Sequence, residues 1–186
     1  MRTGLIVGIE GTRLEEPARS LLRHPAVVGV ILFARNFRDR EQLRELTADL
    51  AGLKQPSPLV CADQEGGRVQ RFKDGFTLLP PAGTIGRWYR NHPDRALDLA
   101  YRHGRVMAAE LLGHGVDLSL APVLDLDRGI RVIGYGAFAD DPDAVIALAG
   151  HFIAGIRDAG MKTCAKHFPG HGSIPGDTHD ESVEDG

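Results

Sequence analysis

Residues 58–72 read PLVCADQEGGRVQRF, an apolar PLVCA run that passes directly into two carboxylates and two guanidiniums. A short apolar run bounded by turn-forming residues is the sequence form of a strand covered on both faces. The same order, apolar run and then polar cluster, recurs twice downstream. Residues 116–120 (VDLSL) precede Asp125, Asp127, Arg128 and Arg131, and residues 161–165 (MKTCA) precede KHFPGHG at residues 166–172. Residues 4–9 (GLIVGI) and 27–33 (VVGVILF) read as two further strands upstream.

Amphipathic segments separate these strands. Residues 14–22 predict a helix that ends near His24-Pro25, since proline disfavours helix at the residue before it. Asp39 is a candidate N-cap with Gln42 in capping-box spacing, and Leu43, Leu46, Leu50 and Leu53 mark one face. Asp94 opens a helix whose apolar side is expected to carry Ala96, Leu99, Ala100, Val106, Met107 and Leu111. Asp141-Pro142 is an N-cap followed by proline at the first helical position. That helix carries Val145, Leu148, Phe152 and Ile156 and stops near Gly160. Residues 63–93 and 121–140 read as long loops.

Such alternation predicts a parallel sheet with right-handed crossovers. A doubly wound open sheet and a (β/α)8 barrel both satisfy it. No G-x-G-x-x-G follows any strand, which weakens the nucleotide-binding version of the open sheet. Polar clusters after the third, fourth and fifth strands suit the catalytic rim of a barrel, although an open sheet also binds ligands at that end. The expected fold is therefore α/β, a (β/α)8 TIM barrel, incomplete here with about five of eight β/α units, since a whole barrel takes about 250 residues. Residues 1–186 are expected to form a single barrel domain that stops after strand five.

The net charge is −3, with no basic stripe, so neither nucleic acid nor an anionic membrane is an expected partner. Cys61 and Cys164 lie in apolar runs and read as reduced core residues, not as a disulfide framework. The N-terminus lacks the longer apolar core of a signal peptide, and no apolar stretch approaches a membrane span, so the cytoplasm is the expected compartment.

The densest chemistry lies at residues 166–179: Lys166, His167 and His171, then Asp177 and His179. Imidazole titrates near neutral pH and can both give and take a proton. A carboxylate bonded to one ring nitrogen fixes the tautomer of the other, and Asp177 stands two residues from His179. Three readings stay open: a solvated histidine-rich loop, a metal site built from His167, His171, Asp177 and His179, and acid/base catalysis. Asp63, flanked by Arg68 and Arg71, suits acceptance of hydrogen bonds from vicinal hydroxyls, and a structural ion-pair network is the competing reading. Asp125, Asp127, Arg128 and Arg131 read as a solvated charged loop.

Taken together, ADQEGGRVQRF at 62–72, APVLD at 121–125 and KHFPGHG at 166–172 with D-x-H at 177–179 resemble the bacterial β-N-acetylglucosaminidases of peptidoglycan recycling, in glycoside hydrolase family three. GVILFARNF at 29–37, FTLLPPA at 76–82 and AGMKT at 159–163 extend the resemblance over essentially the whole chain. It implies a (β/α)8 barrel that removes terminal β-linked N-acetylglucosamine from muropeptides with retention, using no cofactor and no metal. It implies further that His179 is the acid/base with Asp177 as its partner, and that Asp63, Arg71, Lys166 and His167 bind the sugar. A retaining hydrolase also needs a nucleophile. The family places it on an aspartate in an SDDL-like motif after a later strand, and residues 1–186 contain no such motif, so this stretch alone is expected not to hydrolyse the substrate. One position departs from the pattern. The family reads I-G-x-R-x-F after strand four, with the arginine on substrate, whereas this chain has Gly136 there. A non-catalytic N-acetylglucosamine-binding module and a metal-dependent hydrolase are the alternatives.

Overall fold

The structure is a computed structural model that describes residues 4–129, 133–168 and 170–171. Five strands are parallel throughout: β1 (Leu5–Gly8), β2 (Val27–Leu32), β3 (Leu59–Ala62), β6 (Leu118–Ser119) and β7 (Lys162–Thr163). Their spatial order, β1-β2-β3-β6-β7, is also their order in the chain. A doubly wound sheet reverses direction at a switch point, whereas a barrel adds each strand beside the last. The unreversed order therefore identifies five successive units of a TIM-type barrel.

Helices cover the outer face between these strands: α1 (Glu16–Arg23), α2 (Arg40–Ala51), α4 (Pro93–Leu112) and α5 (Pro142–Asp158). Their starts follow local chemistry. The Asp39 carboxylate accepts from the Gln42 N–H at 2.8 Å, and that of Asp141 accepts from the Ala144 N–H at 3.0 Å. Each satisfies a donor that the first helical turn leaves orphaned. Proline opens α4 and α5, where a missing N–H costs nothing. Among the described residues, no helix is long and apolar enough to cross a membrane.

Two expectations are corrected. Residues 63–93 are not one loop. They hold an antiparallel hairpin, β4 (Gln64–Gly66) with β5 (Val69–Gln70), and a further helix, α3 (Ala82–Tyr89). Leu99 and Val106 are 40% and 37% exposed rather than lining the core side of α4. At 100° per residue they lie to one side of the buried stripe, which runs through Ala96, Ala100, His103, Gly104, Met107, Ala108 and Leu111.

Small residues on that stripe let α4 and α5 approach closely. A Cβ at Gly155 would stand 2.0 Å from the Tyr101 carbonyl oxygen, and one at Gly104 would stand 2.2 Å from that of Phe152. Two buried glutamines then build the segment after β3. Gln64 accepts from the Arg71 and Phe72 N–H groups and donates to the Phe72 carbonyl at 3.0 Å. Gln70 accepts from Leu79 N–H and donates to Thr77 O at 2.9 Å. Their amides do for this irregular backbone what a sheet neighbour would otherwise do.

Candidate functional site

The hairpin β4–β5 and the chain after β7 meet over the carboxyl ends of the strands. Lys166 Nζ lies 2.7 Å from Asp63 Oδ1 and 2.7 Å from Glu65 Oε1. Arg71 Nη2 donates to the other Asp63 oxygen at 3.1 Å, with its guanidinium 5.7 Å over the Phe33 ring. The Asp63, Glu65 and Lys166 side chains are 15%, 14% and 18% exposed, so water screens them little.

Burial pushes the Asp63 carboxyl up. The Lys166 ammonium and then Arg71 outweigh burial and hold it below the usual aspartate value. Burial likewise opposes charge on Lys166, but Glu65 and Asp63 outweigh it and raise the amine above its ordinary value. Asp63 and Lys166 therefore stay ionised, in a cluster of two acidic and two basic side chains. Among the described residues, each Asp63 oxygen has a lone pair left, Lys166 keeps one N–H, and Arg71 keeps further donors. That inventory suits a neutral ligand rich in hydroxyls.

A second cluster centres on Asp125. The sequence places this residue in a solvated loop, but it is 5% exposed, its side chain wholly covered. Its Oδ2 accepts from His167 Nδ1 at 2.7 Å and from the His167 N–H at 3.2 Å, while Oδ1 accepts from the His171 N–H at 2.6 Å. Burial raises the Asp125 carboxyl, and the His167 and His171 bonds outweigh it, so its pKa falls below the ordinary value. The Nδ1 bond fixes the His167 tautomer, leaving Nε2 as the acceptor in the neutral ring. The peptide joining Lys166 to His167 is cis.

Stability should record this arrangement. A depressed carboxyl stabilises the fold above the usual aspartate pKa of about 3.9, and the gain disappears as pH falls through the folded value. Asp125→Asn should therefore lower stability by about 2 kcal/mol near pH 7. The gap in melting temperature between variant and wild type should narrow below about pH 4. A gap that stays constant from pH 7 to 3 would show that the ionised carboxylate is not its source.

Asp63, Glu65, Arg71, Lys166, His167 and His171 line one cavity of about 610 Å³, walled also by Val69, Pro81, Ala82, Val123 and Tyr135, with Asp125 buried behind the two histidines. That volume suits a small-molecule ligand. The structure thus brings together Asp63, Arg71, Lys166 and His167, the four residues expected to bind sugar, and adds Glu65 and Asp125, which sequence reasoning missed. Gly136 also lines the cavity. Among the described residues, a Cβ there would meet Glu65 Oε2 alone, at 3.9 Å, so glycine leaves that wall open. His179, Asp177 and Arg131 lie outside the described residues. The His167 and His171 rings are 5.9 Å apart, and no group of three metal-ligating side chains occurs among the described residues. Cys61 is buried, with its thiol pushed up to about 11 by burial first and then by Asp63 nearby, whereas Cys164 is half-buried rather than a core residue.

Comparison with known proteins identifies the family and the fold. Residues 4–186 match the glycosyl hydrolase family 3 N-terminal domain. A beta-hexosaminidase of Alkalilimnicola ehrlichii is 54% identical over 182 residues, covering 97% of this chain and 52% of that protein. One from Tolumonas auensis is 50% identical over 181 residues, covering 97% and 53%. The crystal structure of NagZ from Neisseria gonorrhoeae with N-trifluoroacetyl-D-glucosamine superposes with a TM-score of 0.95 at 45% identity, covering 100% of this chain and 55% of that one. The chain spans about half the length of these relatives.

Proposed function

The chain belongs to glycosyl hydrolase family 3, and on that premise we propose that the whole protein is a retaining β-N-acetylhexosaminidase acting on terminal β-linked N-acetylglucosamine. The observation that carries this reading is the Asp63 carboxylate, clamped between Lys166 and Arg71 on the cavity wall with acceptor capacity to spare. A carboxylate so held is pre-oriented for two adjacent sugar hydroxyls and needs no reorganisation on binding. The relatives named beta-hexosaminidase and the sugar analogue bound to the Neisseria protein support the same substrate class.

In the mechanism, Asp63, Arg71 and Lys166 hold the terminal sugar. His167, fixed through Asp125, supplies a further polar contact. His179 serves as acid/base with Asp177 as its orienting partner, and the nucleophile is an aspartate supplied by sequence outside residues 1–186. Attack on the anomeric carbon forms a glycosyl-enzyme ester while His179 protonates the departing oxygen. Water, deprotonated by His179, then cleaves the ester with net retention. A histidine in this role avoids a second anion beside the nucleophile. Peptidoglycan-derived muropeptides are the proposed natural substrates and the cytoplasm the proposed site of action.

An aryl β-N-acetylglucosaminide tests the reading on the full-length protein. Release of the aryl group should be rapid, with the β anomer appearing first in the proton spectrum. His179→Ala should cut kcat by about 10²- to 10⁴-fold while leaving affinity for the free sugar close to wild type. Unchanged kcat would remove His179 from the chemistry, and initial release of the α anomer would rule out retention.

A further inference from the structure

His103 on α4 lies behind the cavity wall, 5% exposed, with its ring edge against Phe152 at 5.2 Å. Its Nε2 is 3.0 Å from the backbone oxygen of Glu65. A carbonyl oxygen can only accept, so Nε2 carries the proton and Nδ1 is a bare lone pair. That Nδ1 is buried and, among the described residues, has no hydrogen-bond partner. Burial, only partly offset by the Glu65 bond, lowers the pKa of the ring to about 4, so it is neutral at ordinary pH.

As a filler of hydrophobic space this is a poor choice. A stranded buried nitrogen costs stability, and an aliphatic side chain would avoid the cost. What the imidazole supplies is one N–H aimed at Glu65, the residue whose carboxylate meets Lys166 in the cavity. The hairpin also rests on the ring. Gly66 has φ +104°, and a Cβ there would come within 3.0 Å of His103 Cε1. We infer that His103 is a positioning residue, a buried donor that pins the Glu65 backbone and so aims the Glu65 carboxylate at Lys166. The inference rests on the glycosidase reading for its kinetic consequence, but not for its effect on Lys166.

Three variants of the full-length protein separate a donor from a filler. The glutamine amide nitrogen reaches roughly where Nε2 lies, the asparagine amide nitrogen where Nδ1 lies, and leucine offers no donor. Two readouts are taken: KM and kcat on the aryl β-N-acetylglucosaminide, and the rate at which a trace acetylating reagent modifies Lys166, followed by mass spectrometry. His103→Leu should raise KM about 3- to 10-fold with kcat within about twofold, since the misplaced groups grip ground state and transition state alike. Lys166 should be acetylated about 3- to 10-fold faster at pH 8, because a displaced Glu65 holds its proton less tightly. His103→Gln should restore both values to within about twofold, and His103→Asn should not. The melting temperature of His103→Leu should fall only slightly, because loss of the stranded nitrogen offsets part of the cost of leaving the Glu65 carbonyl without its donor.

The inference is overturned if leucine and glutamine behave alike, or if Lys166 reacts at the wild-type rate in His103→Leu. Should the leucine variant fail to fold, the contrast between glutamine and asparagine decides. If the wild-type protein turns over no sugar, the glycosidase reading fails on its own, and Lys166 acetylation still decides the role of His103.

Discussion

Lys166→Met should destabilise the full-length protein by about 3 kcal/mol and abolish measurable binding of N-acetylglucosamine. The ammonium sits 2.7 Å from each of two largely buried carboxylates. Among the described residues, removing it leaves Asp63 with Arg71 alone and Glu65 without an ion-pair partner. Breaking a buried pair from one side typically costs about 3–5 kcal/mol, because the remaining charge is desolvated without compensation. The lower end applies here, since these side chains keep some contact with water. The loss should shrink in acid, where the orphaned carboxylates take up protons, and Glu65→Gln in the same background should recover part of it. Denaturant melts at pH 7 and pH 4.5 measure both effects. A change below 1 kcal/mol at both pH values would show that the cluster is solvated in a way its geometry denies.

Gly155→Ala should be comparably damaging, for a reason unrelated to charge. In a helix interior alanine is favoured over glycine by about 1 kcal/mol, so propensity predicts stabilisation. The added methyl, however, would lie 2.0 Å from the Tyr101 oxygen and 2.9 Å from the Arg105 nitrogen. Both atoms are backbone, so no rotamer change relieves the overlap, and α4 and α5 must separate. Overpacking of this kind costs about 1–3 kcal/mol and more where backbone must move, which outweighs the propensity gain. Gly150→Ala in the same helix is the control. Its Cβ would meet nothing within 4 Å among the described residues, so it should stabilise by about 0.5–1 kcal/mol. Opposite signs for the two substitutions in thermal melts are the expected result. A neutral Gly155→Ala would mean that the helices are not in contact there.

The contrast between readable and unreadable features is physical. The strands were legible because a parallel strand covered on both faces must be apolar throughout, as VVGVIL at Val27–Leu32 is. Asp39 and Asp141 were legible because capping is a local act between a side chain and an N–H three residues on. The α3 helix was not, since AGTIGRWY contains two glycines and little helical preference; its position depends on tertiary contact, with Gly86 tight against the Phe138 oxygen. Asp63 and Lys166 stood out because each follows a strand in a chemically dense motif. Asp125 did not, because the imidazole that makes it a functional carboxylate lies 42 residues away, and in sequence it looks like any acid in a charged loop. His103 was hidden differently. A histidine on an amphipathic helix carries no local sign of the backbone oxygen it will meet 38 residues upstream.

The bond between Lys166 and Asp63 joins residues 103 apart in the chain. A contact of that span is slow to form, since the entropy of closing so long a loop must be met before the contact returns anything. A ribosome making this polypeptide releases Asp63 and Glu65 long before Lys166 exists. Until β7 docks beside β6, Asp63 has Arg71 as its nearby cation and Glu65 lacks Lys166. Pocket assembly is thus a late event in the folding of this part of the molecule.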